Sequence, residues 1–181
     1  HNFTGIGEDM GAFQLCRLLQ RREPNLVLKR SSVLSWDDIQ NNNVIFLGSP
    51  KFNLHLKDIP AKGDFTIEGG VIRNLRPRPG EEAEYRDVWK TKAELLEDYA
   101  LIHRLPGLNN RGEILVLAAS STEGTWAAVE YVTAASHARD LVYRLKGPSG
   151  NLPECYQVVI KARFKEQVPV EITHVTHRVL Q

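Results

Sequence analysis

Short hydroxyls, glycines and an amide gather behind two apolar runs, and these are the residues of the chain best suited to hold an anion. The first group is Ser120, Ser121, Thr122, Gly124 and Thr125, between the run Glu113 to Ala119 and the segment Trp126 to Val132. This order reads as a buried strand, a polar turn and a helix starting near Gly124. Such hydroxyls cap a helix start or donate to a ligand. The unpaired N–H groups and partial positive charge at that end favour negative charge. The second group is Gly48, Ser49 and Asn53, directly after Val44 to Leu47. Continuous apolar runs are the habit of strands covered on both faces, as in parallel sheets. If the two strands run the same way, their loops share the edge at which α/β sheets bind ligands. Arg73, Arg76 and Arg78, beside a proline-rich loop, offer rigid forks for carboxylate or phosphate and are expected to close over that edge. Trp126, one turn into the helix, is placed to stack on a base, although tryptophan is first a packing residue. The expected ligand is a small polar or anionic molecule, with nucleotides as the first class to test. The plainer alternative is ordinary strand-to-helix turns and solvated arginines.

Reaction chemistry is harder to find. A general base would have to be His103 or Glu123, and no carboxylate is placed by sequence to orient His103. The nucleophile elbow G-x-S-x-G and the phosphate-binding G-x-x-x-x-G-K-[ST] pattern do not occur. Gly5, Gly7 and Gly11 miss the dinucleotide fingerprint by one residue, and Glu8 and Asp9 stand where a pyrophosphate needs positive potential. His174 and His177 lie three apart on an expected strand and so should point to opposite faces. Cys16 and Cys155 lack the paired spacing of zinc sites and read as small core residues. The expectation is a non-catalytic sensing domain with no metal and no cofactor. An enzyme using His103 or Glu123 is the first alternative.

The elements that must position these groups follow from periodicity. A helix from the Gly5 region to about Arg22 carries the stripe Ala12, Leu15, Cys16, Leu19. Leu26 to Leu28 reads as a short strand, and Ser35 to Ile39 as a short helix with Asp38 in the capping-box place. With Val44 to Leu47 these would make a right-handed βαβ unit. Asp64 to Asn74 is a hairpin turning at Gly69-Gly70. Residues 81–92 read as charged surface, 93–97 as a helical turn, Tyr99 to Arg104 as a strand, and 60–98 as an elaboration within a single domain. Ser136 is expected to cap a helix ending at Lys146, before Gly147 and Pro148. Tyr156 to Lys165 alternates strictly and pairs with Val168 onward, with a bulge near His174 accounting for a change of phase. That edge hairpin supports a second alternative, an interaction module pairing with a partner or with itself as a homodimer.

Composition bounds the rest. At 181 residues the chain fits one domain with a sizeable core, and 42% hydrophobic with 25% charged residues is ordinary for a globular protein. A net charge of +1 gives no general pull toward nucleic acid or an anionic membrane. No apolar run approaches the roughly 20 residues that span a bilayer, and the start shows no signal peptide, so a cytoplasmic setting is expected. The start without Met fits a fragment of something longer. Asn2-Phe3-Thr4 matches the glycosylation pattern.

Four stretches carry a family resemblance: Phe3 to Glu8, Val44 to Pro50, Asp98 to Ile102 and Thr122 to Ala128. Through them the chain resembles an uncharacterised bacterial α/β domain found C-terminal in winged-helix regulator-like proteins. That resemblance implies a sensory or regulatory role and supplies no catalytic residues. The expected fold is α/β: a Rossmann-like, three-layer mixed sheet with a parallel core, an antiparallel C-terminal hairpin and a β-hairpin insertion.

Overall fold

A computed structural model describes residues 5–59, 63–147 and 150–180. The glycosylation pattern at Asn2 and the expected stop at Pro148 lie outside the described residues. The described residues form four α-helices: α1 (Ile6–Leu19), α2 (Trp36–Asn41), α3 (Thr122–Thr133) and α4 (Ala135–Leu145). The strands are β1 (Val44–Leu47), β2 (Phe65–Glu68), β3 (Val71–Asn74), β4 (Glu84–Tyr85), β5 (Val88–Thr91), β6 (Glu94–Pro106), β7 (Glu113–Ala119), β8 (Cys155–Lys165) and β9 (Val168–Leu180). The architecture is mixed α/β, with one mixed sheet in the order β1-β7-β6-β8-β9, β5 pairing with β6, and a second small sheet β2-β3-β4. Among the described residues only β1 and β7 are parallel; the other pairings of the main sheet are antiparallel.

Each face of the main sheet has its own cover. Ala100, Ile102, Leu117, Val158 and Ile160 point to a core closed by Leu15 of α1, by α3 and by Leu141 and Leu145 of α4. On the opposite face, Phe46, Val116 and Ala118 meet Ile39 of α2, while Leu101 and Val159 meet Phe65, Ile72 and Tyr85 of the small sheet. The small sheet is clipped down by polar groups. The Gln157 side chain bonds both the N–H and the C=O of Phe65, standing in for a neighbouring strand. Arg178, 2% exposed, donates to Asp64 and Glu81 and lies over the Phe65 ring at 4.9 Å.

Local chemistry accounts for several of these elements. Ser35 and Asp38 form the full capping box at α2, and Gly69 and Gly70 take positive φ at the β2–β3 turn, as a primed hairpin turn requires. Five expectations need correction. Leu26 to Leu28 forms no strand and is exposed to solvent. Residues 81–92 contain β4 and β5, and Glu94 to Glu97 opens β6, with Glu94 exposed and Leu95 buried. The C-terminal helix begins at Ala135 with Ala134 as its cap and no side-chain cap bond, since it follows α3 without a loop. The expected bulge near His174 is present, and its extra residue is Val175: Thr176 pairs with Val159 and His174 with Ile160. That bulge brings the rings of His174 and His177 together, 3.1 Å between Nε2 and Nδ1, where unbroken alternation would have separated them.

Candidate functional site

β1 and β7 end side by side, Leu47 opposite Leu117, so the Gly48 and Ser120 loops leave the sheet at one edge. Gly48 prolongs the pairing by donating to the Leu117 carbonyl and turns away at φ +91°, a conformation that suits glycine. Asn53 folds back and donates its amide to the carbonyls of Leu47 (2.6 Å) and Gly48 (3.0 Å). Ser49 is buried beneath, its carbonyl accepting from Phe52 and Asn53 in the turn. Ser121 caps α3, its Oγ accepting from the N–H of Gly124 at 2.9 Å. Thr125 is buried and bonds the Ser121 carbonyl.

Two helices start at this edge. α1 lies alongside α3 and runs in the same direction, Gly7 against Thr122 and Gly11 against Val129. A Cβ on Gly7 would stand 2.0 Å from the Thr122 carbonyl oxygen, so only glycine permits the approach. The convergence of two positive helix ends is answered by two carboxylates of the chain itself. Glu8, in the first turn of α1, bonds Thr122 through both its N–H (3.2 Å) and its carboxylate, and reaches toward Gly48. Asp98, 1% exposed on β6, accepts from Ser120 Oγ (2.9 Å), Ser121 N (3.0 Å), Ser121 Oγ (2.5 Å) and Tyr99 N (2.7 Å). Burial pushes the Asp98 carboxyl up to about 6, with these four hydrogen bonds pulling the other way.

The residues singled out from the sequence therefore divide. Gly48, Ser49, Asn53, Ser120, Ser121, Thr122 and Gly124 come together at one edge. Gly124 packs against Asp98 and Ala119. Trp126 is half-buried and donates to Gln14 of α1 at 3.3 Å, away from the Gly48 loop. The turn of the β2–β3 hairpin does approach, since a Cβ on Gly70 would be 3.7 Å from that of Ser120. The arginines do not. Arg73 lies among Glu68 and Glu84 on the small sheet, Arg76 pairs with Asp64 at 2.6 Å, and the N–H of Arg78 donates to Glu81. Arg76 is six residues from the turn, roughly 20 Å along an extended chain.

His103 and Glu123 stand on opposite sides of the sheet. His103 is 4% exposed beside Gln157, its Nε2 has no hydrogen-bond partner among the described residues, and burial holds its pKa down at about 4. Glu123 is in the first turn of α3. Among the described residues, no three His, Cys, Asp or Glu side chains form a group able to hold a metal ion. Two surface hollows lie on other parts of the molecule. One, of about 330 Å³, is lined by Glu81, Tyr85, Tyr99, Lys161 and His174. The other, of about 580 Å³, is lined by Leu96, Arg163, Phe164 and Val170.

Sequence reasoning missed the two carboxylates. Glu8 read as negative charge set against a pyrophosphate; its reach to Thr122 is a contact across 114 positions that local spacing does not signal. Asp98 carried a signal, because an acidic residue entering a buried strand must find donors. No helix among the described residues is long and apolar enough to cross a membrane. Neither family models, curated proteins nor solved structures give a match to this chain.

Proposed function

We propose that the chain is a non-catalytic ligand-sensing domain that takes a small polar or anionic molecule, nucleotides being the first class to test, where β1 and β7 end. The observation that carries this reading is the carboxylate of Glu8 held between the starts of α1 and α3, on the Thr122 hydroxyl and beside Gly48. An edge that already accommodates an internal anion has the geometry and field to accept an external one, with Glu8 swinging out as the ligand enters. Asp98 and its serines then act as the fixed floor. The Rossmann-like character of the fold belongs to the same reading, supported by the parallel β1–β7 pair with helices packed on either side of it. The resemblance to a domain of winged-helix regulator-like proteins supports a regulatory output.

The test is a thermal-shift and calorimetric panel of nucleotides and small organic acids against wild type, Glu8→Gln and Thr122→Val. A ligand at 100 times its Kd stabilises by about 2.7 kcal/mol. Glu8→Gln should tighten binding of an anion and Thr122→Val should weaken it. A panel without any hit, or a hit indifferent to both substitutions, rejects the site.

A further inference from the structure

α1 is apolar on both of its sides. Its inner face, with Gly7, Gly11, Ala12 and Leu15, is buried. The outer face, which a surface helix ordinarily gives to charged and polar groups, carries Ile6, Met10 and Phe13 at helical spacing, 75%, 41% and 61% exposed. Arg17 completes the stripe one turn on, its guanidinium 5.7 Å from the centre of the Phe13 ring. Past the helix the exposed apolar side chains resume at Leu26, Val27 and Leu28. Two turns tie that segment to the end of α1, the N–H of Glu23 donating to the Leu19 carbonyl and the N–H of Leu26 to that of Glu23.

The charge interleaved with these side chains is nearly all of one sign. From Met10 to Trp36 the chain has five basic residues, Arg17, Arg21, Arg22, Lys29 and Arg30, and one acidic residue, Glu23. That local +4 leaves the rest of the chain at −3, so the net charge of +1 conceals a basic region. Of the five, only Lys29 has a carboxylate partner among the described residues. Of the two carboxylates of α1, Glu8 is turned to Thr122, and Asp9 stands in the first turn, at the end away from the arginines. The stripe borders neither of the hollows described above.

We infer that the outer face of α1, with the basic turn that follows it, docks on the surface of a bilayer containing anionic lipid. Charge alone would suit any polyanion. Apolar side chains interleaved with unpaired guanidiniums need a partner that is negative at its surface and apolar just beneath, which describes such a bilayer. Ile6, Met10 and Phe13 enter between the headgroups, while Arg17, Arg21 and Arg22 extend to the lipid phosphates. Each arginine is worth about fivefold in partitioning at an anionic surface, about a hundredfold for the three, and the attraction weakens as salt is added.

Sedimentation of the full chain with phosphatidylcholine vesicles, with and without phosphatidylserine, tests this. Wild type should pellet with the phosphatidylserine vesicles in low salt and stay in solution with phosphatidylcholine alone. Met10→Ser with Phe13→Ser should weaken binding at least about tenfold through lost apolar burial. Arg17→Gln with Arg21→Gln should weaken it by about twenty-fivefold. These side chains are exposed, so both variants should keep the circular-dichroism spectrum of wild type. Val170→Ser, at a position 62% exposed on β9, should bind as wild type does. A wild type that does not pellet with phosphatidylserine vesicles overturns the inference, as does binding that survives either double substitution or is lost with Val170→Ser. A chain retained on heparin but not on vesicles would assign the basic region to a soluble polyanion and overturns it as well.

Discussion

Two buried ionisable groups titrate in opposite directions, and their separation by mutation is the sharpest test of the core described here. Asp98 is 1% exposed and His103 is 4% exposed, so neither needs a discount for solvent screening. The folded-state pKa of Asp98, about 6, stands above its ordinary 3.8. Between those values the folded chain binds more protons than the unfolded one, so the Asp98 contribution is full below 3.8 and is lost as pH rises through 6. At 1.36 kcal/mol for each pH unit, the loss totals about 3 kcal/mol. His103 does the reverse. Its folded-state pKa is about 4 against an ordinary 6.5, so the unfolded chain binds the extra proton. Stability from His103 is full above 6.5 and is lost as pH falls through 4, in total about 3.4 kcal/mol. In wild type the two slopes nearly cancel from pH 4 to pH 6. Urea unfolding of wild type, Asp98→Asn and His103→Gln at five pH values from 4 to 8 separates them. The stability of Asp98→Asn relative to wild type should rise with pH by about 1.4 kcal/mol per unit near pH 5, and that of His103→Gln should fall at a similar rate. Constant offsets from lost hydrogen bonds do not affect those slopes, and other titrating groups cancel in the differences. Difference curves flat to within about 0.5 kcal/mol across the window, well below the linked change, would refute the buried placement of both groups.

Other substitutions probe single contacts. Arg178→Met leaves Glu81, with a side chain 13% exposed, without its cation and Asp64 with Arg76 alone, and should cost about 3 kcal/mol in urea unfolding; a loss under about 1 kcal/mol, the level of a surface pair, would show that the cluster is solvated. Gly124→Ala puts a methyl 2.2 Å from Asp98 Oδ2 and 2.6 Å from Ala119 Cβ, and should cost about 2 kcal/mol by overpacking, read as a lowered Tm. Ser121→Ala removes the α3 cap and one donor to Asp98; about 1 kcal/mol is expected from the cap alone, and an unchanged denaturation midpoint would contradict the assignment. Only the Oγ donor is lost in that variant, so the backbone bond from Ser121 N should persist as slow amide exchange.

How much of this was legible in the sequence depended on the range of the forces involved. The hairpin at Gly69-Gly70, the capping box at Ser35 and the bulge near His174 are set by turn chemistry and alternation within a few residues, and each is where local reasoning puts it. β5 and the first half of β6 were obscured because Glu94, Glu97 and Asp98 interrupt the apolar pattern, although Leu95 between them is 1% exposed. Leu26 to Leu28 has the composition of a strand, but composition cannot supply a neighbour. The candidate site shows the same division. The loops that end β1 and β7 could be placed from their apolar runs, while Glu8 meeting Thr122 across 114 positions could not. The arginines were assigned by charge alone, and a hairpin's direction decides where its charges lie.

That direction also explains why the small sheet stays docked. Three strands of four, four and two residues are too short to stand alone in water. Burial of Phe65, Ile72 and Tyr85 against Leu101 and Val159 supplies the nonspecific attraction, which by itself would tolerate sliding. Register is fixed by groups that accept one position only. The Gln157 amide matches both peptide groups of Phe65, and a Cβ on Gly63 would stand 2.3 Å from its Oε1. At the far end Arg178 spends its donors on Asp64, Glu81, Thr176 and the carbonyls of Arg76 and His177. A displaced hairpin would leave that guanidinium buried and unmatched, a larger loss than any gain from sliding. The turn at Gly69-Gly70 is thereby held beside Ser120 from its opposite end, through a rigid strand pair. The edge where β1 and β7 finish is thus shaped partly by residues a hairpin's length away.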